Sequence, residues 1–576
     1  MKKASGRLKH KKTVFLAGFL LGMLAFVCLY GVKILDVTYD SWLLPNDEMA
    51  GRLDLSQHYL GWVAYRGSGR GFPFGLIDSL TYPEKISVIY TDCVPLAAFF
   101  FKLLSPILPE TFQYMGLLCL LGFGLQGGFA ALLLSRWSES FRVVLTGSLF
   151  FICSNPVLQR IYAHTALACQ WMIPAAMCLW AYDGALGNRR KTLLWSALMA
   201  VTLLTQAYFL PMVYGILCGS LLWRLLCKGQ PGYTAAGLLC PLFAAVATGW
   251  LSGMFYGDVP AGASGYGVFS FNLNGLWNAH GTSRLLPSLY YYPGQDEGYA
   301  FLGVGVLALL LFVAAGLLLR AVRQRDAAAA ALRRREVRAA VLSLMIVSGV
   351  FTAAAASTSV TLGARQHLFM VPQAVVDMLG IFRSSGRLVW PVYYGCILAA
   401  VAGAAVLWKK RPALLCALFL GLFALQMWDE EAFWGITADY CRAEHRGTAL
   451  LQEEAWDALP EEYTHLTVYP RGETLVSNLR GYVLEDYALR RGLTMNVAYL
   501  ARDITPQADR RVYDAFEEYY GGAALPEDTL YVFLDELPAE DIPDMHYYFI
   551  DGFTLGLPRA LEGYAELSHE PWEEAA

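Results

Sequence analysis

Long apolar segments, separated by short links that carry Lys and Arg, make up the first three quarters of the chain. Runs of about 20 apolar residues are long enough to cross the hydrocarbon core of a bilayer as helices. Such runs lie at residues 14–35, 111–135, 141–157, 166–182, 192–210, 211–227, 233–252, 299–320, 339–356, 388–408 and 412–428. The pattern predicts an α-helical polytopic membrane protein with about eleven transmembrane helices.

The apolar segment from Val94 to Leu108 does not fit this series. It is short, contains Pro95 and Pro106, and carries the charged Lys102. If it were a span, the basic links before and after it would face opposite sides of the membrane, whereas Lys and Arg concentrate in cytoplasmic loops. We therefore expect a re-entrant segment with both ends on the outer side.

The basic links also predict the orientation of the helices. Six basic residues precede the first apolar run, and further clusters occupy residues 136–142, 189–191, 224–228, 320–338 and 409–411. Short loops rich in Lys and Arg stay in the cytoplasm. We expect a multi-pass protein of the plasma membrane with a cytoplasmic N-terminus. An odd number of spans would then place the C-terminal part outside the cytoplasm.

The chain changes character after Trp428, where acidic residues become frequent. Charged runs with helical periodicity alternate there with short apolar runs that are typical of strands. The helix-like runs lie at 446–459 and 506–520, and the strand-like runs at 465–469, 530–534 and 547–550. The sequence therefore predicts two domains. A transmembrane domain covers 1–428, with a first outer loop at 35–92, and a small extracytoplasmic α/β domain covers 429–576.

The composition agrees with a membrane protein. Hydrophobic residues make up 56% of the chain and charged residues 16%, whereas soluble domains have about 25% charged residues. Twelve cysteines lie mostly inside apolar segments and form no CxxC pair, so they indicate no metal or redox site. With a net charge of -4 and no basic patch, we expect no nucleic-acid partner.

The first outer loop carries the leading candidate site. Asp54, His58, Trp62 and Arg66 recur every fourth residue, so a helix would place them in one slanting stripe. Asp54 would act as a general base that removes a proton from an acceptor hydroxyl. Alternatively, Asp54 is a helix N-cap, because Gln57 follows it three residues later.

Two acidic features compete with Asp54 for the role of base. Asp47 and Glu48 form an adjacent pair in the same loop, which would hold the base or form a solvated turn. Asp92 precedes the short apolar segment and would be a second acid, a metal ligand or a simple cap.

The remaining stripe residues are expected to bind substrate or support the base. His58 would orient the base, and Arg66 would neutralise a phosphate, since its planar fork offers paired donors. Gln57 and Trp62 are expected to contact substrate. The alternative for His58 and Arg66 is a surface position in the headgroup layer.

Five residues in later outer segments are further candidates for substrate binding. Arg160 and His164 share one turn and would serve a donor site, although charged groups at the end of a span also simply reach the interface. Glu297 opens a span after a loop rich in Gly, Asn and aromatic residues, which suit sugar rings. Arg383 and Arg387 flank a Ser-Ser-Gly turn and would bind a lipid-linked phosphate or ordinary headgroups.

Several of these segments resemble a bacterial family of membrane proteins of unknown function that is placed near the GT-C superfamily of integral-membrane glycosyltransferases. The similar segments are LDLSQHYLGWVAYR, YTDCVPLAAFFFKLLSP, RIYAHTALACQW, GYAFLGVGVL and FRSSGRLVWPVYY. The first span, the long acidic outer loop, the many spans and the C-terminal outer domain are also similar to GT-C enzymes. The resemblance covers roughly Leu35–Leu407.

The resemblance implies a GT-C-like fold and an inverting single displacement from a polyprenyl-phosphate sugar donor, with a first-loop acid as base. Asp54 best matches that position, and Asp47 with Glu48 resembles the acidic pair of protein mannosyltransferases. Members that use monophosphate carriers generally need no metal, so we expect no metal and no cofactor. If a metal is needed, Asp92 is the first candidate ligand.

We therefore expect a glycosyltransferase that acts at the outer face of the membrane. Its partners would be a polyprenyl-phosphate-linked sugar donor, an envelope glycan or lipid acceptor, and membrane lipids. The alternative is a transporter or flippase of lipid-linked sugars. The sequence favours the enzyme, because the mid-span positions are nearly all apolar and no repeat is visible, whereas transporters place polar groups near the bilayer centre.

Overall fold

The computed structural model describes residues 2–46, 54–259, 265–326, 330, 333–447, 451–469, 479–502, 505–533 and 542–567. It is mostly helical, at 61%. The chain forms two compact units. Unit 1 comprises Met1–Asp36, Tyr114–Thr248 and Ala261–Ala443, and unit 2 comprises Val37–Gln113, Gly249–Pro260 and Glu444–Ala576.

Long helices alternate with shorter ones along the described part of the chain, and the strands are short. The helices are α1 (Lys2–Tyr30), α2 (Asp54–Gly67), α3 (Pro95–Leu104), α4 (Met115–Leu134), α5 (Phe141–Ile152), α6 (Asn155–Ala163), α7 (Thr165–Ala168), α8 (Met172–Ala181), α9 (Asn188–Thr205), α10 (Phe209–Lys228), α11 (Pro231–Leu251), α12 (Val304–Arg323), α13 (Arg335–Ala356), α14 (Gln373–Leu379), α15 (Trp390–Leu407), α16 (Pro412–Asp429), α17 (Glu431–Arg442), α18 (Ala455–Ala458), α19 (Leu479–Arg491) and α20 (Thr505–Tyr520). The strands are β1 (Leu76–Ile77), β2 (Ile86–Ser87), β3 (Ser359–Leu362), β4 (Arg365–Leu368), β5 (His465–Tyr469), β6 (Thr494–Met495), β7 (Thr529–Phe533), β8 (His546–Ile550) and β9 (Phe553–Leu557).

The apolar helices confirm a polytopic membrane protein but not the expected number of spans. Among the described residues, eight helices are long and apolar enough to cross a membrane, or nine if one bent pair counts as a span. They belong to α1, α4, α10, α11, α12, α13, α15 and α16. The sequence predicted about eleven, on the same criterion of apolar length.

Three of the expected spans account for the difference. Residues 141–157 form the bent pair α5 and α6, which meet at 49°, at a break where Pro156 cannot donate an N–H to the preceding turn. Residues 166–182 divide into the short helices α7 and α8. Residues 192–210 do not form a full span. Helix α9 ends at Thr205, and its first turn contains the basic residues 189–191.

The expected re-entrant segment is a short apolar helix of unit 2. It consists of α3 followed by a 3-10 turn at Ser105–Ile107. The ammonium of Lys102 donates to the carbonyl oxygens of Tyr65 at 2.7 Å and of Ser68 at 3.0 Å. These carbonyls lie at the C-terminus of α2, where positive charges are favoured. The charged group of Lys102, which argued against a membrane span, therefore binds the end of another helix.

Close backbone contact joins α1 to α4 within unit 1. A Cβ atom added to Gly22 would lie 2.0 Å from the carbonyl oxygen of Phe123, and one added to Gly18 would lie 2.4 Å from that of Gly127. Small residues at such crossings let helices in membranes approach closely enough to gain van der Waals contact.

The described strands at the end of unit 2 form one five-stranded sheet in the order β6–β5–β7–β9–β8. Strand β5 pairs in parallel with β6 and β7, whereas β7, β9 and β8 pair antiparallel. Leu466 and Val468 alternate with more exposed residues along β5 and enter a core that contains Trp456 and Leu484. This sheet confirms a small C-terminal sheet domain.

Part of the segment that was expected to form the first outer loop hydrogen-bonds with the edge of that domain. The backbone N–H of Tyr82 donates to the carbonyl of Met495 at 2.7 Å, and Met495 in turn donates to Ser79 at 2.7 Å. The N–H of Ala501 donates to Tyr90 at 2.8 Å. Residues 37–113 therefore group with the C-terminal part in unit 2, and the domain boundary expected near residue 428 stays a prediction.

Replacing Gly22 by Ala tests the α1–α4 contact. The added methyl group meets a backbone carbonyl that cannot move away by itself, so the helices must separate, and we expect a loss of about 1–3 kcal/mol in the free energy of unfolding. The measurement is denaturant unfolding in detergent. Gly421→Ala on α16 is the matched control, because no atom lies within 4 Å of its Cβ position. Equal stability of both variants would contradict the close approach.

Candidate functional site

Helix α2 forms where the fourfold spacing predicted it, over Asp54–Gly67. Ten of its residues are buried, Gln57 among them. A helix buried on so many sides lies inside its unit, and not on a surface. Asp54, in the first turn, is only half-buried. Asp47 and Glu48, the alternative base, lie outside the described residues.

Trp62 and Arg66 bind the backbone of the segment that precedes α4. The indole Nε1 of Trp62 donates to the carbonyl of Phe112 at 2.9 Å. The guanidinium of Arg66 donates to the carbonyls of Glu110 at 2.7 Å and Pro109 at 2.8 Å. These contacts give both side chains a structural role within unit 2, and they do not support the substrate-binding roles expected from the sequence.

The fold of unit 2 brings His58 next to Asp92. Their nearest ligand-type atoms lie within 4.8 Å of one another. His58 is fully buried, whereas Asp92 is half-buried. A carboxylate beside a histidine fixes the orientation of the ring and raises its basicity. Imidazole and carboxylate also bind divalent metal ions, so His58 and Asp92 can share such an ion.

Asp92 lies in a strained turn. Its φ is 54°, and that of Val94 is 59°, which is a left-handed conformation that a β-branched residue adopts only under constraint. The turn approaches α2 at Gly61, where a Cβ atom would lie 2.4 Å from the Cβ of Thr91. Strain of this kind persists only where the surrounding fold enforces it, and it concentrates at functional sites.

Helix α19 of the C-terminal domain packs against α2 within unit 2. The hydroxyl of Tyr59 donates to the carboxylate of Asp40 at 3.0 Å. Arg490 on α19 lies 3.7 Å from that carboxylate and 2.9 Å from Asp486. The C-terminal domain therefore belongs to the surroundings of the candidate base.

Two residues on α19 that lie near α2, Tyr482 and Glu485, were not among the candidates expected from the sequence. Burial raises the pKa of Tyr482 well above its ordinary value, and the charge of Asp54 raises it further. Burial, with a smaller contribution from Asp486, raises the pKa of Glu485 from 4.5 to about 8. The signal in the sequence that could have identified Glu485 is its position as an acid on the apolar face of an amphipathic helix, three residues after Tyr482.

Glu485→Gln should change how stability depends on pH. Between about pH 5 and pH 8 the folded protein holds a proton on Glu485 that the unfolded chain has lost, so the free energy of unfolding falls as pH rises. The glutamine variant lacks this contribution, and its melting temperature should fall less over that range. Glu461→Gln, at an exposed position, is the control. Parallel pH curves for the wild type and Glu485→Gln would contradict a neutral buried carboxyl.

Unit 1 holds a second group of candidate residues, in which Arg160 and Arg387 share the carboxylate of Glu297. Nη2 of Arg160 donates to Oε2 of Glu297 at 3.0 Å and to its backbone carbonyl at 2.6 Å. Arg387 donates to the same oxygen through Nε at 3.0 Å and also through Nη2. Burial alone would raise the pKa of Glu297, but the charges of Arg387 and Arg160, with a smaller effect of His164, hold it well below its ordinary value.

Two glycines bring this triad together. Glu297 lies in the 3-10 turn Gln295–Gly298, and Arg387 lies in the turn Ser385–Val389. A Cβ atom at Gly298 would lie 2.7 Å from the backbone of Gly386. The two turns can touch only because neither residue has a side chain.

The other two candidates of unit 1 have different contacts. Arg383 is exposed, and its guanidinium lies 5.4 Å from the ring centre of Phe269. His164 is buried, and its Nδ1 accepts a hydrogen bond from the backbone N–H of Leu167 at 3.3 Å. Three of the five expected residues, Arg160, Glu297 and Arg387, are therefore in direct contact. His164 affects Glu297 through its charge, and Arg383 lies apart from them.

Glu297→Gln should destabilise the protein strongly. Two buried guanidinium groups would lose their shared negative partner, and breaking a buried ion pair costs about 3–5 kcal/mol. The free energy of unfolding in detergent measures this loss. Glu431→Gln is the matched control, because its pair with Arg284 is largely exposed and is worth about 0–1 kcal/mol. A loss below that of the control would show that the triad contributes little.

Comparison with known protein families identifies the chain over most of its length. The profile of a domain of unknown function, DUF6311, matches residues 19–431. The chain belongs to the DUF6311 family. The profile of the DUF6311 C-terminal domain matches residues 455–558. A comparison with curated proteins finds no match.

Both groups of candidate residues lie inside the DUF6311 matches. The first match contains the triad of unit 1, together with Asp54, His58 and Asp92, and the second contains Glu485. In this DUF6311 protein the helix that carries the candidate base and the C-terminal domain share one compact unit.

Proposed function

We propose that this DUF6311 protein is a glycosyltransferase that moves a sugar from a polyprenyl-phosphate donor to a hydroxyl group of a cell-envelope acceptor at the outer membrane face. The observation that carries the proposal is the set of acid–base groups in unit 2. Asp54 and His58 occupy successive turns of α2, and Asp92 lies beside His58 on a strained turn. Such a set suits proton removal from a hydroxyl.

The three residues differ in how far they are buried, and we assign their roles on this basis. A substrate hydroxyl must reach the base within hydrogen-bond distance. Asp54 is half-buried at the start of a helix, where the dipole favours a negative charge, whereas His58 is fully buried. We therefore assign Asp54 as the base. His58, one turn after Asp54 on α2, and Asp92 beside it are positioning residues.

The proposed reaction is a single displacement. The acceptor oxygen forms a bond to the anomeric carbon, and its proton moves to the Asp54 carboxylate. The bond between the anomeric carbon and the phosphate oxygen breaks, and the electron pair stays on the leaving polyprenyl phosphate. The configuration at the anomeric carbon inverts. The phosphate-binding roles expected for Arg383 and Arg387 stay predictions.

An apolar cavity in unit 1 supports a lipid-linked donor. It has a volume of about 520 Å³ and is lined by apolar side chains of the membrane helices, including Trp180, Phe351 and Val392. Arg320 is the charged residue of its lining. A long isoprenoid chain is a ligand that such a cavity accommodates.

Sugar transfer by the purified protein in nanodiscs tests the proposal. The donors are a panel of radiolabelled polyprenyl-phosphate sugars, and the acceptor is an envelope extract. Asp54→Asn should lower the transfer rate by about 100-fold or more, because removing a general base costs that much. Asp78→Asn, in the same loop and 44% exposed, should transfer at the wild-type rate.

A further variant separates the role of Asp92 from the strain of its backbone. Asn tolerates the left-handed conformation, so Asp92→Asn should keep the melting temperature while lowering transfer. Undiminished transfer by Asp54→Asn would contradict its assignment as base. If the wild type transfers no sugar from any donor, the enzyme proposal fails.

One observation favours a transporter or flippase as a second candidate. Gln126 and Tyr394 lie near the middle of two candidate spans, and Nε2 of Gln126 donates to the Tyr394 hydroxyl at 2.9 Å. That hydroxyl donates to Gln170 at 2.8 Å and contacts Ser154 at 2.9 Å. The expectation of nearly apolar mid-span positions was therefore incomplete, and polar groups at this depth are typical of transport pathways. Movement of a labelled carrier between leaflets in the same nanodiscs or in vesicles would support this candidate.

A further inference from the structure

Unit 1 contains a buried carboxyl group that neither candidate function uses. Glu430 is 1% exposed. Its Oε1 accepts a hydrogen bond from Nδ2 of Asn155 at 3.0 Å, and the same amide group donates to the carbonyl of Phe301 at 2.9 Å. The backbone N–H of Asn155 donates to the Tyr393 hydroxyl at 3.1 Å. Asn155, which donates to the carboxyl group, is therefore itself held by two other segments of the unit.

Two oxygen atoms of this cluster lack a donor. Oε2 of Glu430 and Oδ1 of Asn155 are buried and have no hydrogen-bond partner in the described part of the chain. A buried acceptor without a partner costs about 1–3 kcal/mol. The two oxygens belong to side chains that are hydrogen-bonded to each other through Nδ2 of Asn155 and Oε1 of Glu430.

Both residues lie where helices break. Asn155 begins α6 at the 49° bend after α5, and Glu430 lies between the end of α16 and the start of α17. Phe301 belongs to the non-helical segment before α12. Interrupted helices near a membrane offer carbonyl and side-chain oxygens to small cations, and this is how many membrane proteins hold Na⁺ or a proton.

The charges around Glu430 also favour a cation. Asp429 adjoins it, is fully buried, and accepts hydrogen bonds from Ser283 Oγ at 2.7 Å and the N–H of Leu285 at 2.8 Å. The other titratable groups that face it are the hydroxyls of Tyr299 and Tyr393. Arg284 pairs with Glu431 instead. No cationic side chain in the described ranges forms an ion pair with Glu430.

Protonation is one way to satisfy these groups. Burial, with a smaller contribution from Asp429, raises the pKa of Glu430 from 4.5 to about 8, although the hydrogen bond from Asn155 acts in the opposite direction. The carboxyl group therefore holds a proton at neutral pH and can exchange it slightly above neutrality.

We propose that Glu430 and Asn155 form a buried binding site for one monovalent cation, the class that comprises the proton and Na⁺. The bound cation sits between the carboxyl oxygen of Glu430 and the amide oxygen of Asn155, and it joins the break between α5 and α6 to that between α16 and α17. The proposal does not rest on the glycosyltransferase proposal, because it concerns different residues and needs no sugar substrate.

Infrared spectroscopy of the full-length protein in nanodiscs tests the site. The wild type should show protonated-carboxyl absorption that disappears with a midpoint near pH 8, to which both Glu430 and Glu485 contribute, and Glu430→Gln should lose the Glu430 part of it. The titration is repeated in choline chloride and in NaCl. A midpoint that is the same in both salts assigns the site to the proton. A midpoint lowered by NaCl shows that Na⁺ competes for it.

Two further variants guard against a folding defect and a nonspecific salt effect. Asn155→Ser removes the hydrogen bond that favours the charged carboxylate, so it should raise the midpoint while Glu430 remains. Glu485→Gln removes a buried carboxyl of unit 2 and should leave the Glu430 titration and its response to Na⁺ unchanged. If Glu430→Gln and the wild type give the same carboxyl spectrum and neither responds to Na⁺, there is no such site.

Discussion

The removal of ionisable side chains from water is the constraint on which the arrangement of both units depends. A buried charge needs an opposite charge, a set of hydrogen bonds or a proton. Glu297 meets this need with two arginines, and Lys102 meets it with the carbonyls that end α2. Glu430 and Glu485 meet it by holding a proton instead. The contacts of Glu297, Lys102 and Glu430 each join segments that are distant in the chain, so polar groups contribute to how the apolar helices are connected.

The same constraint bears on function. The candidate base lies on a helix whose Trp62 and Arg66 side chains bind the neighbouring backbone, and this part of the chain groups with the C-terminal sheet domain in unit 2. An acceptor that is recognised by the C-terminal domain would therefore be recognised by the unit that supplies the base. In unit 1, the polar network around Tyr394 and the pair of Glu430 with Asn155 occupy the interior of the helical bundle.

Periodicity and apolar length were sufficient to predict several features. The fourfold spacing from Asp54 predicted α2, the long apolar runs predicted eight of the long helices, and the alternating pattern after residue 428 predicted a sheet domain. The joint use of Arg160, Glu297 and Arg387 was not predicted, although each was singled out. Their contact depends on the approach of Gly298 to Gly386, and backbone contacts between distant turns leave no periodic signal. The contacts of Arg66 were not predicted for a similar reason, because its partners are backbone carbonyls, which every residue carries.

By itself, the sequence determined the polytopic helical class, the position of most helices and the presence of a small C-terminal sheet domain, because these follow from local patterns of apolar and polar residues. Only the tertiary structure decided which expected spans are bent or divided, which polar residues meet, and that residues 37–113 group with the C-terminal part. Such properties depend on long-range contacts, whose energies come from burial and geometry. The tertiary structure also revealed Glu430 and Glu485, since an acid looks the same in sequence whether it is solvated or buried and protonated.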